Sequence, residues 1–204
     1  RSILSDVIGD PLDVIASGPF VPDPTTFQDY LTILQRYQIG AEVPAAIRKH
    51  LNCGVNGDIP DTPQIGDPSF EKVHNVIVGN NLQAAQAAIL QAKMEGISPL
   101  LLTTSLQGEA ATIGQTMAAI AQQIAATGDP IPRPACIVAG GETTVTIGGE
   151  GLGGRNQELA LGAVAAIAGL DDVILITLAT DGDDGPTDAA GAVVTGETLD
   201  RAAL

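Results

Sequence analysis

The stretch Val73-His74-Asn75-Val76-Ile77-Val78-Gly79-Asn80-Asn81-Leu82, continued by an Ala-rich run and closed at Gly96, decides the fold class of this chain. Its aliphatic residues predict a strand over 73–78, Gly79-Asn80-Asn81 a tight turn, and residues 82–95 a helix that Gly96 ends by taking the backbone left-handed. The pattern then repeats, with a strand over 99–104 and a helix over 109–127 that stops at Gly128. Two strand-helix units in succession imply a parallel sheet with helices on it.

Working outward, residues 135–139 read as a third strand, and residues 143–147 as a fourth, joined to it as a hairpin through Gly140-Gly141-Glu142. A helix over 156–168 places Leu159, Ala163, Ala166 and Ile167 on its inner side, a buried strand follows over 173–179, and 190–194 offers one more. Toward the N-terminus, residues 1–25 carry Pro11, Pro19, Pro22 and Pro24 among Ser, Asp and Gly, which is loop chemistry. A helix over 26–37 gathers Phe27, Tyr30, Leu31 and Leu34 on one side, and a short helix over 44–51 has Pro44 in its first turn. Residues 52–68, rich in Gly, Pro, Asp and Asn, are the best linker candidate, and no internal repeat is visible.

Composition limits the function classes. The chain has 204 residues, 45% of them hydrophobic but only 2% aromatic, so Ala, Val, Ile and Leu must fill the core. Its formal charge of −15 disfavours nucleic acid and anionic membranes as partners. Any anionic small molecule must be held locally, by a few cations and helix N-termini. Cys53 and Cys136 form no C-x-x-C pair and match no metal-ligand spacing with His50 or His74, so a reducing cytoplasm is the simplest reading. No run of 18 apolar residues and no signal-peptide pattern is seen, which speaks against spanning or secreted readings. Starting at Arg1 in structured-looking sequence, the chain reads as a fragment of a longer protein. The Ala-rich helices leave room for a homodimer.

Chemistry concentrates in Gly148-Gly149-Glu150-Gly151-Leu152-Gly153-Gly154-Arg155-Asn156 and in Asp181-Gly182-Asp183-Asp184-Gly185-Pro186-Thr187-Asp188. In the first, Gly151, Gly153 and Gly154 let backbone N–H groups approach an anion, Asn156 is the expected N-cap of the next helix, and Arg155 adds a bidentate guanidinium beside the positive helix end. The plainer alternative pairs Arg155 with Glu158 or Glu142. A literal G-x-G-x-x-G is present, yet it follows a hairpin and puts Glu150 where a pyrophosphate would lie, so a dinucleotide site ranks second. No G-x-x-x-x-G-K-[ST], G-x-S-x-G or H-E-x-x-H occurs. In the second stretch, crowded carboxylates repel one another and Mg²⁺ would offset that, while solvated turn residues explain it equally well. This loop and Gly79-Asn80-Asn81 both follow strand carboxyl ends, where α/β sheets bind ligands.

Four blocks taken together resemble one family. Ser5-Asp6-Val7-Ile8-Gly9-Asp10-Pro11 with Ile15-Ala16-Ser17-Gly18-Pro19, Gly140-Gly141-Glu142-Thr143-Thr144-Val145-Thr146, Gly153-Gly154-Arg155-Asn156-Gln157-Glu158, and Thr180-Asp181-Gly182-Asp183-Asp184-Gly185-Pro186-Thr187-Asp188 are similar, in family order, to the MOFRL-type glycerate 2-kinases, some of which carry the name hydroxypyruvate reductase. The resemblance implies an α/β fold of Rossmann-like, mainly parallel sheet layers. The tail of a larger N-terminal α/β domain and a linker would occupy residues 1–72, and a smaller C-terminal MOFRL-type α/β domain residues 73–204, with the signature over about 133–204.

It further implies ATP-dependent phosphorylation of D-glycerate to 2-phosphoglycerate, with Mg²⁺, in a cleft between the two domains. Arg155 and Asp181 would be catalytic. Asp6, Asp10, Ser17, Gly18, Glu142, Thr143, Gly151, Gly153, Gly154, Asn156 and Asp188 would contact substrate or phosphate, Gly79, Asn80 and Asn81 the nucleotide, and Asp181 and Asp184 the metal. The family's catalytic lysine lies in a segment upstream of Arg1 and another family block beyond Leu204, so the chain alone is expected to be inactive. An NAD(P)H-dependent hydroxypyruvate reductase and a non-catalytic nucleotide-binding module are the alternatives.

Overall fold

Three ladders, six α-helices and two single-turn 3-10 helices, Ile15–Ser17 and Pro68–Phe70, make up the computed structural model of the chain, which describes residues 1–202. The order is β1 (Ser2–Leu4), α1 (Phe27–Arg36), α2 (Ala45–Val55), β2 (Val76–Gly79), α3 (Asn81–Met94), β3 (Ser98–Leu106), α4 (Ala110–Thr127), β4 (Ala135–Gly141), α5 (Arg155–Ile167), β5 (Ile174–Leu178), β6 (Gly191–Thr195) and α6 (Thr198–Ala202). This is the expected α/β alternation, and two of its ladders, β1–β2 and β3–β4, are parallel. The third, β5–β6, is antiparallel, with Ile176 opposite Val193. Ala203 and Leu204, the end of the 73–204 domain read from sequence, lie outside the described residues.

The chain divides into two compact units, Arg1–Asn80 and Asn81–Leu204. The division falls after β2 rather than before it because β2 pairs with β1, Ile77 opposite Ile3, and Gly79 O accepts from Ser5 N at 2.9 Å. Within the first unit, α1 opens on a capping box. Asp29 N donates to Thr26 Oγ1, and Thr26 N donates to Asp29 Oδ2 at 2.8 Å. Helix α2 runs on through Asn52 to Val55, past the expected start of the linker. The Gly/Pro-rich stretch behind it is tied back to its own unit: Thr62 Oγ1 donates to Asp23 Oδ2 at 2.7 Å, Phe27 N to Asp61 Oδ1 at 2.7 Å, and Gln64 Nε2 to Thr25 O at 2.9 Å.

In the second unit, α3 packs on β3 and β4 while α4 lies along α5. Scarcity of aromatics forces a core of small residues, and the helices answer by coming close together. Ala118, Ala160, Ala163, Val164, Ile167 and Val194 form that core, with Leu175 and Ala192 packed against it. The approach of the two helices is set by Gly114 and Gly162. A Cβ on Gly114 would stand 1.9 Å from Leu159 O, and one on Gly162 2.4 Å from Ala111 O. Among the described residues, no helix is long and apolar enough to cross a membrane.

Candidate active site

The glycine-arginine stretch begins where β4 ends. Residues 143–147 do not form the expected hairpin strand. Instead they run beside the start of α4. Thr144 N donates to Gly108 O at 2.9 Å, Ala110 N to Thr144 O at 2.8 Å, and Thr146 N to Glu109 Oε1 at 2.8 Å. Just beyond Gly141, Glu142 N donates to Leu106 O at 2.8 Å, so the chain follows the end of β3 and the start of α4 and makes no hairpin back onto β4. Thr143 is buried by this path, whereas Gly151 and Gly153 stay exposed.

Helix α5 begins at Arg155, two residues earlier than an Asn156 cap requires, and its N-cap is Gly154 in extended backbone. A glycine has no side chain with which to cap, so the first-turn donors need another acceptor. Asp184 supplies it from the acidic loop. Its Oδ1 accepts from Asn156 N at 2.9 Å and from Asn156 Nδ2 at 3.2 Å, while Oδ2 accepts from Gln157 N at 2.8 Å and Gln157 Nε2 at 3.1 Å. Gly154 is where this carboxylate needs room, since a Cβ there would lie 2.4 Å from Asp184 Oδ1.

Asp184 is only 3% exposed. Burial by itself would raise its pKa, but the backbone donors of Asn156 and Gln157, together with their side chains, outweigh burial and hold the carboxyl below its ordinary range. The residue is a buried cap whose two oxygens each accept two N–H bonds, so the metal role that the family resemblance implies for it would compete with four hydrogen bonds. The same geometry revises the anion site. The N–H groups of α5 that were expected to face a phosphate are satisfied by the protein's own carboxylate. Gln157 completes the tie, donating from Nε2 to Thr187 Oγ1 at 2.9 Å, and Thr177 Oγ1 donates to Asn156 O at 2.9 Å. Gln157, Thr177 and Thr187 escaped the sequence reading because their partners lie 21 to 30 residues away. A Gln in the first turn after a glycine cap was the one available signal.

Arg155 remains available. Its Nη1 donates to Glu142 Oε1 at 2.8 Å and, more distantly, to Thr143 O at 3.5 Å, and its side chain is half exposed. This is the pairing named as the plainer alternative, and it orients the guanidinium while Nε and Nη2 have no protein partner among the described residues. Asp181 and Asp188 are exposed, and Asp181 Oδ1 accepts from Asp183 N at 3.2 Å. Among the described residues no cluster of three His, Cys, Asp or Glu side chains could hold a metal. Of the two residues expected to hold the metal, Asp181 is the one whose carboxylate is open to solvent.

In the first unit, Asp10 accepts from Asn80 Nδ2 at 2.5 Å, joining two expected site residues. Asp6 is exposed, above a turn in which Val7 N donates to the buried Ser5 Oγ at 3.3 Å. Ala16, Ser17 and Gly18 are all left-handed, with φ of 50°, 62° and 59°. Asn81, at the start of the second unit, donates from Nδ2 to Thr104 O at 3.1 Å. None of these residues lines the cavity of about 290 Å³ between α1 and α2, which is bounded by Leu31, Leu34, Gln35, Gln38 and Arg48 among others.

Residues 135–204 match the model of the MOFRL family, and residues 2–52 that of a domain of unknown function, DUF4147. The chain is 44% identical to a glycerate 2-kinase of Pyrococcus horikoshii over 98% of its own length and 44% of that protein's. It is 42% identical to an Agrobacterium vitis protein named as a hydroxypyruvate reductase, again over 98% of this chain and 44% of the other. The crystal structure of a glycerate kinase from Thermotoga maritima superposes with a TM-score of 0.83 at 40% identity, over 98% of this chain and 45% of that one. The chain thus spans under half the length of these relatives.

Proposed function

We propose that this chain, whose residues 135–204 match the MOFRL family and which is 44% identical to a glycerate 2-kinase over 98% of its length, is the part of such a kinase that neutralises and orients the reacting anions. The observation that supports this reading is the Arg155–Glu142 pair at the start of α5, inside the segment that the MOFRL model matches. The reaction transfers the γ-phosphoryl group of ATP to the 2-hydroxyl of D-glycerate. An O–P bond forms at glycerate, the bond to ADP breaks, and the hydroxyl proton leaves. Little covalent work falls to the protein, so positioning and charge carry the rate.

Arg155 uses its unpaired N–H groups on the glycerate carboxylate or the transferring group, and Glu142 holds it in place for that. Asp181 holds Mg²⁺, which when bound shields the phosphate charge. The proposal keeps Asp6, Asp10, Ser17, Gly18, Asp188 and the exposed glycines as substrate contacts and Gly79, Asn80 and Asn81 as nucleotide contacts. It also includes a cytoplasmic location and a homodimer.

The test is a chimera in which this chain replaces the matching segment of the Thermotoga relative. ATP- and glycerate-dependent ADP release, with no oxidation of NAD(P)H by hydroxypyruvate, is the expected result. The reverse pattern establishes the reductase, and binding of ATP without turnover establishes a nucleotide-binding module.

A further inference from the structure

Arg155 and Asp181 stand on different elements, the first residue of α5 and the loop between β5 and β6. Among the described residues no hydrogen bond or ion pair joins the two side chains. What joins their segments is Asp184. By its main chain it belongs to the acidic loop, where its N donates to Ala189 O at 2.9 Å and its O accepts from Thr187 Oγ1 at 2.8 Å. By its side chain it belongs to the helix, accepting from the main-chain N–H groups of Asn156 and Gln157, the two residues after Arg155. The backbones interlock as well. A Cβ on Gly154 would stand 2.4 Å from Asp184 C, and one on Gly185, itself left-handed at φ +63°, 2.2 Å from Gly153 O. A glycine on each side lets the loop lie directly against the turn that carries Arg155.

Capping alone does not call for this arrangement. Ser, Thr, Asp or Asn at position 154 would give the first turn an acceptor from its own side chain. Here the acceptor comes from 28 residues downstream, and of the four carboxylates between 181 and 188 it alone is buried. Beneath the same turn, Thr177 of β5 donates from Oγ1 to Asn156 O at 2.9 Å and accepts from Ala192 N at 3.0 Å. The start of α5 is thus braced to the strand that leads into the acidic loop and to the loop itself. Such bracing sets the distance and direction between Arg155 and Asp181. In-line transfer is sensitive to both, since a misplacement of about 1 Å can cost on the order of 10² in rate.

We propose that Asp184 is a positioning residue for phosphoryl transfer, holding the Asp181 loop in register with Arg155 through Asn156 and Gln157. This role rests on the kinase reading above and gives Asp184 no contact with substrate or metal. When the brace is cut, Arg155 still holds its anion and Asp181 its Mg²⁺. Binding survives, and the register of the reacting groups is lost. The signature is a fall in kcat with little change in KM.

The experiment compares Asp184→Asn with Gln157→Met in the Thermotoga chimera. The second variant removes the Nε2 donors that reach Asp184 and Thr187 without touching any carboxylate. Each should lower kcat at least fivefold, with KM for glycerate and ATP and the half-saturating Mg²⁺ concentration moving less than threefold. In an Arg155→Ala background the same substitutions should cost less than threefold, because no guanidinium is left to place. Ile167→Val, a core variant at the far end of α5, should lose stability while kcat stays within twofold. Smaller kcat losses in both variants overturn the inference, as do losses of threefold or more in the Arg155→Ala background. A rise of threefold or more in half-saturating Mg²⁺ for Asp184→Asn overturns it too, and makes Asp184 a metal ligand. Where Asp184→Asn does not fold, Gln157→Met decides.

Amide hydrogen exchange on the 204-residue chain tests the brace without turnover. Gln157→Met alters only the helix side, yet it should speed exchange at least fivefold at the Gly182 and Asp184 amides, both bonded within the loop. Faster exchange confined to the start of α5 overturns the inference. A chimera that phosphorylates glycerate while both variants keep their kcat defeats the positioning role and spares the kinase reading. One that phosphorylates no glycerate defeats the kinase reading and with it the role in transfer, while the exchange measurement still decides whether Asp184 couples the two segments.

Discussion

The start of α5 and the loop at residues 10–18 carry two of the four signature blocks, yet they hold their shapes by opposite means. At α5 each strained requirement is met. A glycine makes room, a buried carboxylate accepts four N–H bonds, and Gln157 and Thr187 lock that carboxylate in place. In the loop the backbone of Ala16 and Ser17 lies left-handed without a glycine's freedom, held by main-chain bonds such as Ser17 N to Val14 O at 3.0 Å. One region is held by side-chain hydrogen bonds and the other carries backbone strain. Substitutions at the first should therefore cost stability or activity, and relaxing the second should return some.

The largest expected effect falls on Arg155, which serves no folding purpose at α5 beyond an exposed ion pair worth under ~1 kcal/mol. In the active chimera Arg155→Ala should lower kcat/KM by about 10² or more, the scale of a lost preorganised charge contact, with little change in unfolding midpoint. A loss below threefold would remove Arg155 from the mechanism and leave it as a surface partner of Glu142.

Next comes Asp184. Asp184→Ala leaves the first turn of α5 without its acceptors, and should destabilise the chain by about 1.5–3 kcal/mol, the range for hydrogen bonds to a charged group, read by denaturant unfolding. Its pH dependence carries the same information. Because the folded pKa is held below the unfolded value of 3.8, the contribution is fully present above that value and fades as pH falls through the lower folded pKa. Asp184→Asn should flatten that acid limb. A wild-type acid limb identical to that of Asp184→Asn would show that the carboxylate does not cap the helix.

Gly154→Ala tests the same turn sterically. Its backbone is extended, so alanine suffers no conformational penalty there and only the clash with Asp184 remains. Overpacking of this kind costs about 1–3 kcal/mol. In the double variant with Asp184→Ala only the side-chain part of the cost should vanish, because the main-chain carbonyl carbon of residue 184 also lies 2.4 Å from that Cβ position. Fully additive losses would assign the clash to the main chain of residue 184 alone.

These effects explain what could be read from the chain. Alternating aliphatic runs and Ala-rich helices gave away the α/β order, because each element's signal is local: Gly96 and Gly128 stop α3 and α4 in the structure as they do on paper. The Arg155–Glu142 pair was also within reach, being only 13 residues apart. Asp184 was not. Four acidic residues in eight positions look alike, and what distinguishes the buried one is a helix start 28 residues earlier. The mistaken strand at 143–147 has a similar cause. Its β-branched residues satisfy a strand pattern, but their partners are Gly108 and Ala110 rather than the preceding strand.

The smallest effect belongs to the strained loop. A non-glycine residue in left-handed backbone costs roughly 1–2 kcal/mol, part of which glycine gives back through the greater freedom of the unfolded chain. Ser17→Gly should thus stabilise the chain by a few tenths to about 1 kcal/mol, and Ala16→Gly likewise, both read as a raised denaturant midpoint. Gly18 offers the control, because there a Cβ would stand 2.6 Å from Asp13 O in left-handed backbone, so Gly18→Ala must lose stability. If Ser17→Gly stabilises the fold but costs the active chimera tenfold or more in KM for glycerate, the serine side chain is what the strain was retained for. If it stabilises without cost to KM or kcat, Ser17 leaves the list of substrate contacts and the loop's shape alone carries its role.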